Sequence, residues 1–299
     1  MVNVGKGTAA ALGSVDRMAV AGRPIPEVVA LLVVSWNVNS LNARMTHLAA
    51  LVERHAPDII CLQETKCSDA TFPELEIRAL GYDAAPVNGG GREGVAILAR
   101  QELGLRDVSP DLAGNPRPHE ARWVEATVAD VRIASTYVIN GRTVDHPIFR
   151  EKLVMLDAIR DRAAQLSDRQ AMVVGDFNVM PTDADCWSPQ AFEGSTHVTP
   201  EERHRISAIV EAGLADAFVA APERGPERYT YWDYRGGAFH KNQGLRIDLA
   251  LVSGQLRDRL EWVGIDRELR KNVAMLRGEK LTEAAKPSDH APLLVRLAD

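Results

Sequence analysis

From Leu31 onward, short apolar runs rich in β-branched residues alternate with longer stretches whose apolar residues recur at helical spacing, the pattern of an α/β protein. Leu31 to Ser35, Ile59 to Leu62 and Val95 to Ala99 are predicted strands. Trp123 to Val128 and Val131 to Val138 are two more, and the tight link through Ala129-Asp130 predicts an antiparallel hairpin. Ala171 to Val174, Ile247 to Val252 and Leu293 to Leu297 are apolar almost throughout, which places them in a sheet core. Met45, Leu48, Leu51 and Val52 share a helical face that must end before Pro57. Leu153, Leu156, Ile159, Ala163 and Leu166 mark a second helix, and Ile206, Ile209 and Val210 a third.

Residues 1–30 carry scattered charges and no sustained periodicity, so they are expected to form a loose extension ahead of a single domain over 31–299. Asp16-Arg17 interrupts the one stretch that could act as a secretory signal, and Met18 is an alternative start that the intact mass of the native protein would decide. The longest apolar run, Val28 to Val34, falls far short of the roughly 20 residues a spanning helix needs. The composition of the 299 residues, 45% hydrophobic and 25% charged, is ordinary for a globular chain. Cys61, Cys67 and Cys186 are odd in number and form no CxxC pair, so neither a disulfide framework nor a cysteine-rich zinc site is expected, and a reducing cytoplasm fits best. The formal charge of -6 counts against a protein that coats nucleic acid through a broad basic surface. Local segments, His240-Lys241-Asn242 with Arg246 and the stretch Arg267 to Lys280, are candidates to meet phosphates, with a merely solvated surface as the competing reading.

The chemistry is written at the strand ends. Most predicted strands run into a short cluster of acidic, amide or histidine residues: Trp36-Asn37-Val38-Asn39, Gln63-Glu64-Thr65-Lys66, Gly175-Asp176-Phe177-Asn178, Arg246-Ile247-Asp248 and Ser288-Asp289-His290. Any one of these is more often a turn former or helix cap than a ligand; five in order point to a site built on an α/β scaffold. Glu64, Asp176, Asp289 and the amides are hard oxygen donors with no cysteine among them, and no HExxH occurs, so magnesium or manganese is favoured over zinc. Magnesium needs only one or two protein carboxylates and shares its shell with a substrate phosphate, which implies a phosphate-bearing substrate. A carboxylate such as Asp248 orienting His290 would fix its tautomer and raise its pKa.

The order and spelling of WNVNS, LQETKC, GVAIL, STYVING, GDFNVMPTD, TYWDYR, GLRID and KPSDHAPL, from about Leu31 to the C-terminus, resemble the exonuclease III family of abasic-site endonucleases, within the endonuclease/exonuclease/phosphatase superfamily. The resemblance implies a four-layer α/β/β/α sandwich, two packed mixed β-sheets flanked by helices as in deoxyribonuclease I, with the site at one edge. It implies Glu64 as the principal magnesium ligand, Asn37 and Asp289 beside it, and Asp176, Asn178 and His290 within reach of the same cation. Asp176 would activate water, Asn178 orient it, Tyr137 stabilise the growing phosphate charge, and His290, held by Asp248, contact the scissile phosphate. Asn39, Asn140 and Arg142 would meet the substrate, and Tyr231 and Leu245 would wall the pocket for a flipped-out abasic deoxyribose, although ordinary core packing explains such aromatics too. Trp232 is read as core. Ile139 stands where the family commonly carries proline, which would loosen that loop.

The implied activity is magnesium-dependent (manganese would serve) hydrolysis of double-stranded DNA 5′ to abasic sites, with 3′-5′ exonuclease and 3′-phosphodiesterase activity, by a cytoplasmic, DNA-associated monomer. The rivals are a phosphatase or lipid phosphodiesterase of the same superfamily, and a nucleic-acid-binding regulator that kept the fold and lost catalysis. Crowded carboxylates with no cation would only cost stability, which argues against a purely structural role.

Overall fold

The computed structural model describes residues 30–273 and 286–299. The expected N-terminal extension, Met18 included, and the basic positions after Val273 lie outside the described residues. The chain supplies β1 (Leu31–Asn37), β2 (Ile59–Gln63), β3 (Tyr82–Val87), β4 (Val95–Arg100), β5 (Arg106–Ser109), β6 (Trp123–Val128) and β7 (Val131–Tyr137). It continues with β8 (Ala171–Asp176), β9 (Leu214–Asp216), β10 (Glu223–Arg224), β11 (Asp248–Ser253), β12 (Leu260–Ile265) and β13 (Leu293–Leu297). One sheet runs β10-β12-β13-β1-β2-β4-β3 and the other β5-β6-β7-β8-β11-β9. Both are mixed: β1 with β2 and β7 with β8 are parallel, whereas β13 with β1 and β11 with β8 are antiparallel.

The layering follows from the period of two along each strand. Leu31 and Val33 of β1, Ile59 and Cys61 of β2, Met172 and Val174 of β8 and Ala250 and Val252 of β11 meet in one core between the sheets. Their neighbours point outward: Val34, Trp36, Ile60 and Leu62 pack under Leu48 and Leu51 of helix α1 (Met45–His55) and Ile77 of α2 (Glu74–Ala79). Val173, Leu249 and Leu251 pack under Leu156 and Ile159 of α3 (Pro147–Leu166) and Ile206 and Ile209 of α4 (Pro200–Glu211). Strands covered on both faces have to read as near-continuous apolar runs, and the α/β/β/α sandwich expected from the sequence is the result.

Local chemistry sets the boundaries. Pro147 opens α3 at a position whose N–H needs no partner, and His146 Nδ1 accepts from Ile148 N at 3.1 Å. A capping box of Thr199 and Glu202 opens α4. Ala129 and Asp130 both take positive φ, 45° and 63°, the conformation whose twist suits a two-residue hairpin. The strands β3, β5, β9, β10 and β12 escape the sequence reading because they are short or broken in pattern; β3 carries Pro86 and survives as an edge strand. Val210, expected on the apolar face of its helix, is 40% exposed, leaving that face to Ile206 and Ile209. The three cysteines are free and buried. No helix among the described residues is long and apolar enough to cross a membrane.

Candidate active site

The polar clusters converge because the carboxyl ends of β1, β2, β7 and β8 lie beside the starts of β11 and β13, whose directions are opposite. Asp248 sits directly across from Asp176 in the β11–β8 register, and Tyr137 across from Asp176 in the β7–β8 register. Gly175 makes that crowding possible: at φ 148° its ideal Cβ would lie 1.9 Å from the Thr136 carbonyl oxygen. The two sheets are tied at this edge by Asn37, whose Nδ2 donates to Glu64 Oε1 at 2.9 Å and to Asp176 Oδ2 at 3.0 Å. Its Oδ1 accepts from Asn39 N at 3.0 Å, so Asn37, expected beside the metal, acts here as a hydrogen-bonded bridge between two carboxylates.

Beside this bridge stands a buried charge cluster. His290 Nδ1 lies 2.8 Å from Asp248 Oδ2, and His290 Nε2 lies 3.8 Å from Asp176 Oδ2. Burial alone would lower the imidazolium pKa, but the adjoining Asp248 carboxylate, and Asp176 behind it, push it up to about 10. The adjoining carboxylates thus favour the imidazolium, with His290 Nδ1–H donating to Asp248. For Asp176, burial and then the negative charges of Asp248 and Glu64 outweigh the pull of His290 and lift the carboxyl to about 7. Asp248 Oδ1 is buried with no hydrogen-bond partner. The ligand atoms of Asp176, Asp248 and His290 come within 4.8 Å of one another, and the surplus of carboxylates over cations suits a divalent ion with hard oxygen donors. The oxygen donors of Glu64 and Asp289 face the same cavity as Asp176 and His290.

The remaining groups are held tightly. Asn178 takes a left-handed backbone at φ 52°, with its N–H on Asp176 Oδ1 at 2.9 Å, its Nδ2 on the Val138 carbonyl at 2.9 Å and its Oδ1 accepting from Asn140 Nδ2 at 3.0 Å. Glu64 and Asn39 also have positive φ, 49° and 46°. Such non-glycine conformations persist only where surrounding bonds overdetermine them, and they gather at functional sites. The Tyr137 hydroxyl is driven well above its ordinary pKa by burial, then by Glu64 and Asp176, so it stays a donor; Arg122 lies over its ring at 4.8 Å.

A cavity of about 740 Å³ opens onto these groups. Glu64, Tyr137, Asn140, Asp176, Asn178, Asp289 and His290 line it, and Tyr231 and Leu245 form an apolar wall. Tyr231 packs edge-on against His290 with ring centroids 4.9 Å apart, while Trp232 is wholly buried, as expected. Asn39 is set back, donating to Asp289 Oδ1 at 2.9 Å and accepting from Lys66 at 2.6 Å. Arg142 lies outside the cavity lining, exposed, with its guanidinium on His146.

Three expectations need correction. Arg246 cannot meet phosphate, because it is buried against Asp185 at 2.7 Å and Asp216 at 2.7 Å. Arg270, within the second basic stretch, is likewise buried and donates to the Ser288 and Trp232 carbonyls. Ile139 does not loosen its loop: it is 1% exposed and anchored in the core beneath α3. Sequence reasoning assigned no role to Lys66, which pairs with Glu64 Oε2 at 2.9 Å although it stands in LQETKC, nor to Asp233 and Arg235 of TYWDYR at the cavity mouth. Trp187, Phe192 and His197 also line the cavity from an irregular segment whose letters carry no site signal.

Residues 34–290 match the model of the Endonuclease/Exonuclease/phosphatase family. Exodeoxyribonuclease III of Haemophilus influenzae is 30% identical over 278 residues, which span 87% of this chain and 97% of that protein. Among solved structures, the 3′ phosphatase NExo from Neisseria, bound to a product DNA hairpin, superposes with a TM-score of 0.80 at 32% identity, covering 90% of this chain and 100% of the other. An AP endonuclease from Archaeoglobus fulgidus gives 0.79 at 30% identity over 89% and 99%.

Proposed function

The chain belongs to the endonuclease/exonuclease/phosphatase family, and from that premise we propose that it is a DNA-repair nuclease that hydrolyses the backbone 5′ to abasic sites and trims blocked 3′ ends. The observation that carries this reading is one cavity with two unlike walls. Glu64, Asp176, Asn178 and His290 form a polar wall, and Tyr231 with Leu245 forms an apolar one suited to a sugar that has lost its base.

Asp176 takes the proton of the attacking water; a carboxyl lifted to about 7 is matched to that task near neutral pH. The water oxygen bonds to phosphorus as the bond to the 3′ oxygen breaks, and that oxygen takes a proton from solvent, leaving a 3′-hydroxyl and a 5′-deoxyribose phosphate. Asn178 orients the water, and the Tyr137 hydroxyl and the His290 imidazolium donate to the phosphate oxygens as charge grows on them. Asp248 keeps His290 charged and turned toward the phosphate. Glu64, with Asp289 lining the same cavity and Lys66 and Asn37 fixing its orientation, would hold magnesium, which would neutralise phosphate charge there; manganese would serve in the same way. Asn140 in the cavity wall and the exposed Arg142 beside it are the groups offered to the backbone, while Asn39, set back, acts through Asp289 and Lys66. The substrate is double-stranded DNA with abasic sites or 3′ ends, and a monomer with one catalytic domain, working on DNA in the cytoplasm, suffices.

The test is incision of a labelled duplex carrying one tetrahydrofuran abasic analogue, with magnesium and with EDTA, beside Glu64→Ala and Asp176→Asn. Magnesium-dependent incision 5′ to the analogue, lost in both variants, is expected. Tight DNA binding without incision would make the protein a regulator instead, and neither binding nor cutting would leave a phosphatase of small or lipid substrates.

A further inference from the structure

Lys152, in the second turn of α3, is fully buried, and none of its bonds reaches the charge cluster around His290. Its ammonium donates to the Asn178 carbonyl at 2.6 Å and to the Asn140 carbonyl at 3.2 Å, and it is paired with the equally buried Glu202. Those two carbonyls belong to the two asparagines whose side chains meet in the cavity wall, Asn140 Nδ2 on Asn178 Oδ1. One buried cation thus links both backbones that carry this amide pair, with Thr196 Oγ1 also on the Asn140 carbonyl and His197 Nδ1 on that of Asn178. Glu202 fixes the cation in turn: its Oε1 also accepts from Thr196 Oγ1 and His197 N, both at 2.9 Å, and its Oε2 from Thr199 N at 3.0 Å and Thr199 Oγ1 at 2.8 Å.

We propose that Lys152 and Glu202 are a positioning pair for the Asn140–Asn178 amides, acting on the chemical step through Asn178 and not on the binding of DNA. The inference rests on the role given to Asn178 in the proposed function. Asn178 sits in a left-handed conformation, and its carbonyl accepts from the Lys152 ammonium at 2.6 Å and meets His197 Nδ1 as well, Lys152 being the charged donor of the two. A buried ion pair whose only purpose is to join α3 to α4 has no need to place its cation on the carbonyls of two cavity residues. Three donors of one ammonium satisfy two such carbonyls and a carboxylate at once, which no neutral side chain of that length can do.

The experiment is a double-mutant cycle on the full chain, read as kcat and KM for an abasic duplex. The pair is removed as Lys152→Met with Glu202→Gln, so that neither charge is left buried alone, and is combined with Asn178→Ala. Displacement of a reacting group by about an ångström costs on the order of 100-fold in rate, so kcat is expected to fall roughly 10- to 100-fold with KM within about twofold of wild type. Added to Asn178→Ala, the same pair removal should lower kcat by less than about twofold, because the group through which it acts is already gone. A drop that is multiplicative on the Asn178→Ala background, or a loss confined to melting temperature and KM, would overturn the proposal. Absence of incision by the wild-type protein would instead overturn the proposed function. Thermal unfolding of every variant separates folding defects from kinetic ones, and Glu202→Gln alone, which keeps the Lys152 bonds to both carbonyls, should retain more kcat than the double replacement.

Discussion

Arg246 and His290 are both buried cations flanked by two aspartates, and their surroundings are balanced in opposite ways. Arg246 meets Asp185 through Nε at 2.7 Å and Nη2 at 3.1 Å and Asp216 through Nη1 at 2.7 Å, while Asp185 also accepts from Thr182 N and Oγ1. Burial opposes the charge on each, yet the partners win: Asp185 is held below its ordinary pKa and Arg246 above. Around His290 the carboxylates of Asp176, Asp248 and Glu64 outnumber the one cation, whereas Arg228 brings a second cation to 3.7 Å from Asp185. Asp176 is pushed up to about 7 and Asp248 Oδ1 has no partner. A buried cluster with every group satisfied fixes a loop; one left with surplus charge and a spare oxygen is poised to take up something else.

Substitutions should separate the two clusters cleanly. The largest effect is expected from Asp176→Asn, which should cut incision roughly 10²- to 10⁴-fold while leaving the melting temperature unchanged or raised, since it removes a charge its surroundings disfavour. Initial rates and thermal unfolding on the same preparation check both halves, and a variant with lost activity and lost stability would make the cluster structural. Arg246→Met should do the reverse: it leaves Asp185 and Asp216 buried without their cation, a loss of about 3–5 kcal/mol by urea unfolding. Its kcat at a temperature where it remains folded should stay near wild type.

Gly175→Ala tests the strand crossing on which the His290 side is built. Its Cβ would meet the Thr136 carbonyl oxygen at 1.9 Å, so about 1–3 kcal/mol of stability should go, accompanied by a fall in kcat because Asp176 and Tyr137 are displaced with it. The smallest effect is on the slope of stability with pH, at most about 1.4 kcal/mol per pH unit for each group. Asp176 has a raised pKa, so the unfolded chain ionises first and metal-free protein should lose stability as pH rises from 3.8 to about 7. Asp185 has a lowered pKa, so its contribution is present above the ordinary 3.8 and lost as pH falls through the folded value. Unfolding curves of wild type and Asp176→Asn across that range, with and without magnesium, should differ in slope only in the metal-free pair.

Much of the site was legible because function and fold use different letters here. Strands buried on both faces must be apolar, so Asp176, Glu64 and Asp248 stand out where the runs stop. Lys152 and Glu202 were invisible for the opposite reason: a lysine and a glutamate on amphipathic helices read as solvated residues, and only the packing of α3 on α4 buries them together. Arg246 was misread on the same grounds, as a surface cation next to a basic segment.

The amino-acid sequence by itself determined the longer buried strands and helices, their order and the polar groups at their ends, since these depend on periodicity and local turn chemistry within a few residues. Tertiary structure alone decided that Asp248 faces Asp176, that Asn37 reaches Asp176 across 139 positions of chain while also holding Glu64, and that neighbouring carboxylates raise the pKa of His290. Strand register, the left-handed backbone at Glu64 and Asn178 and the shifted pKa values all arise from groups distant along the chain brought within hydrogen-bonding range in a medium that excludes water.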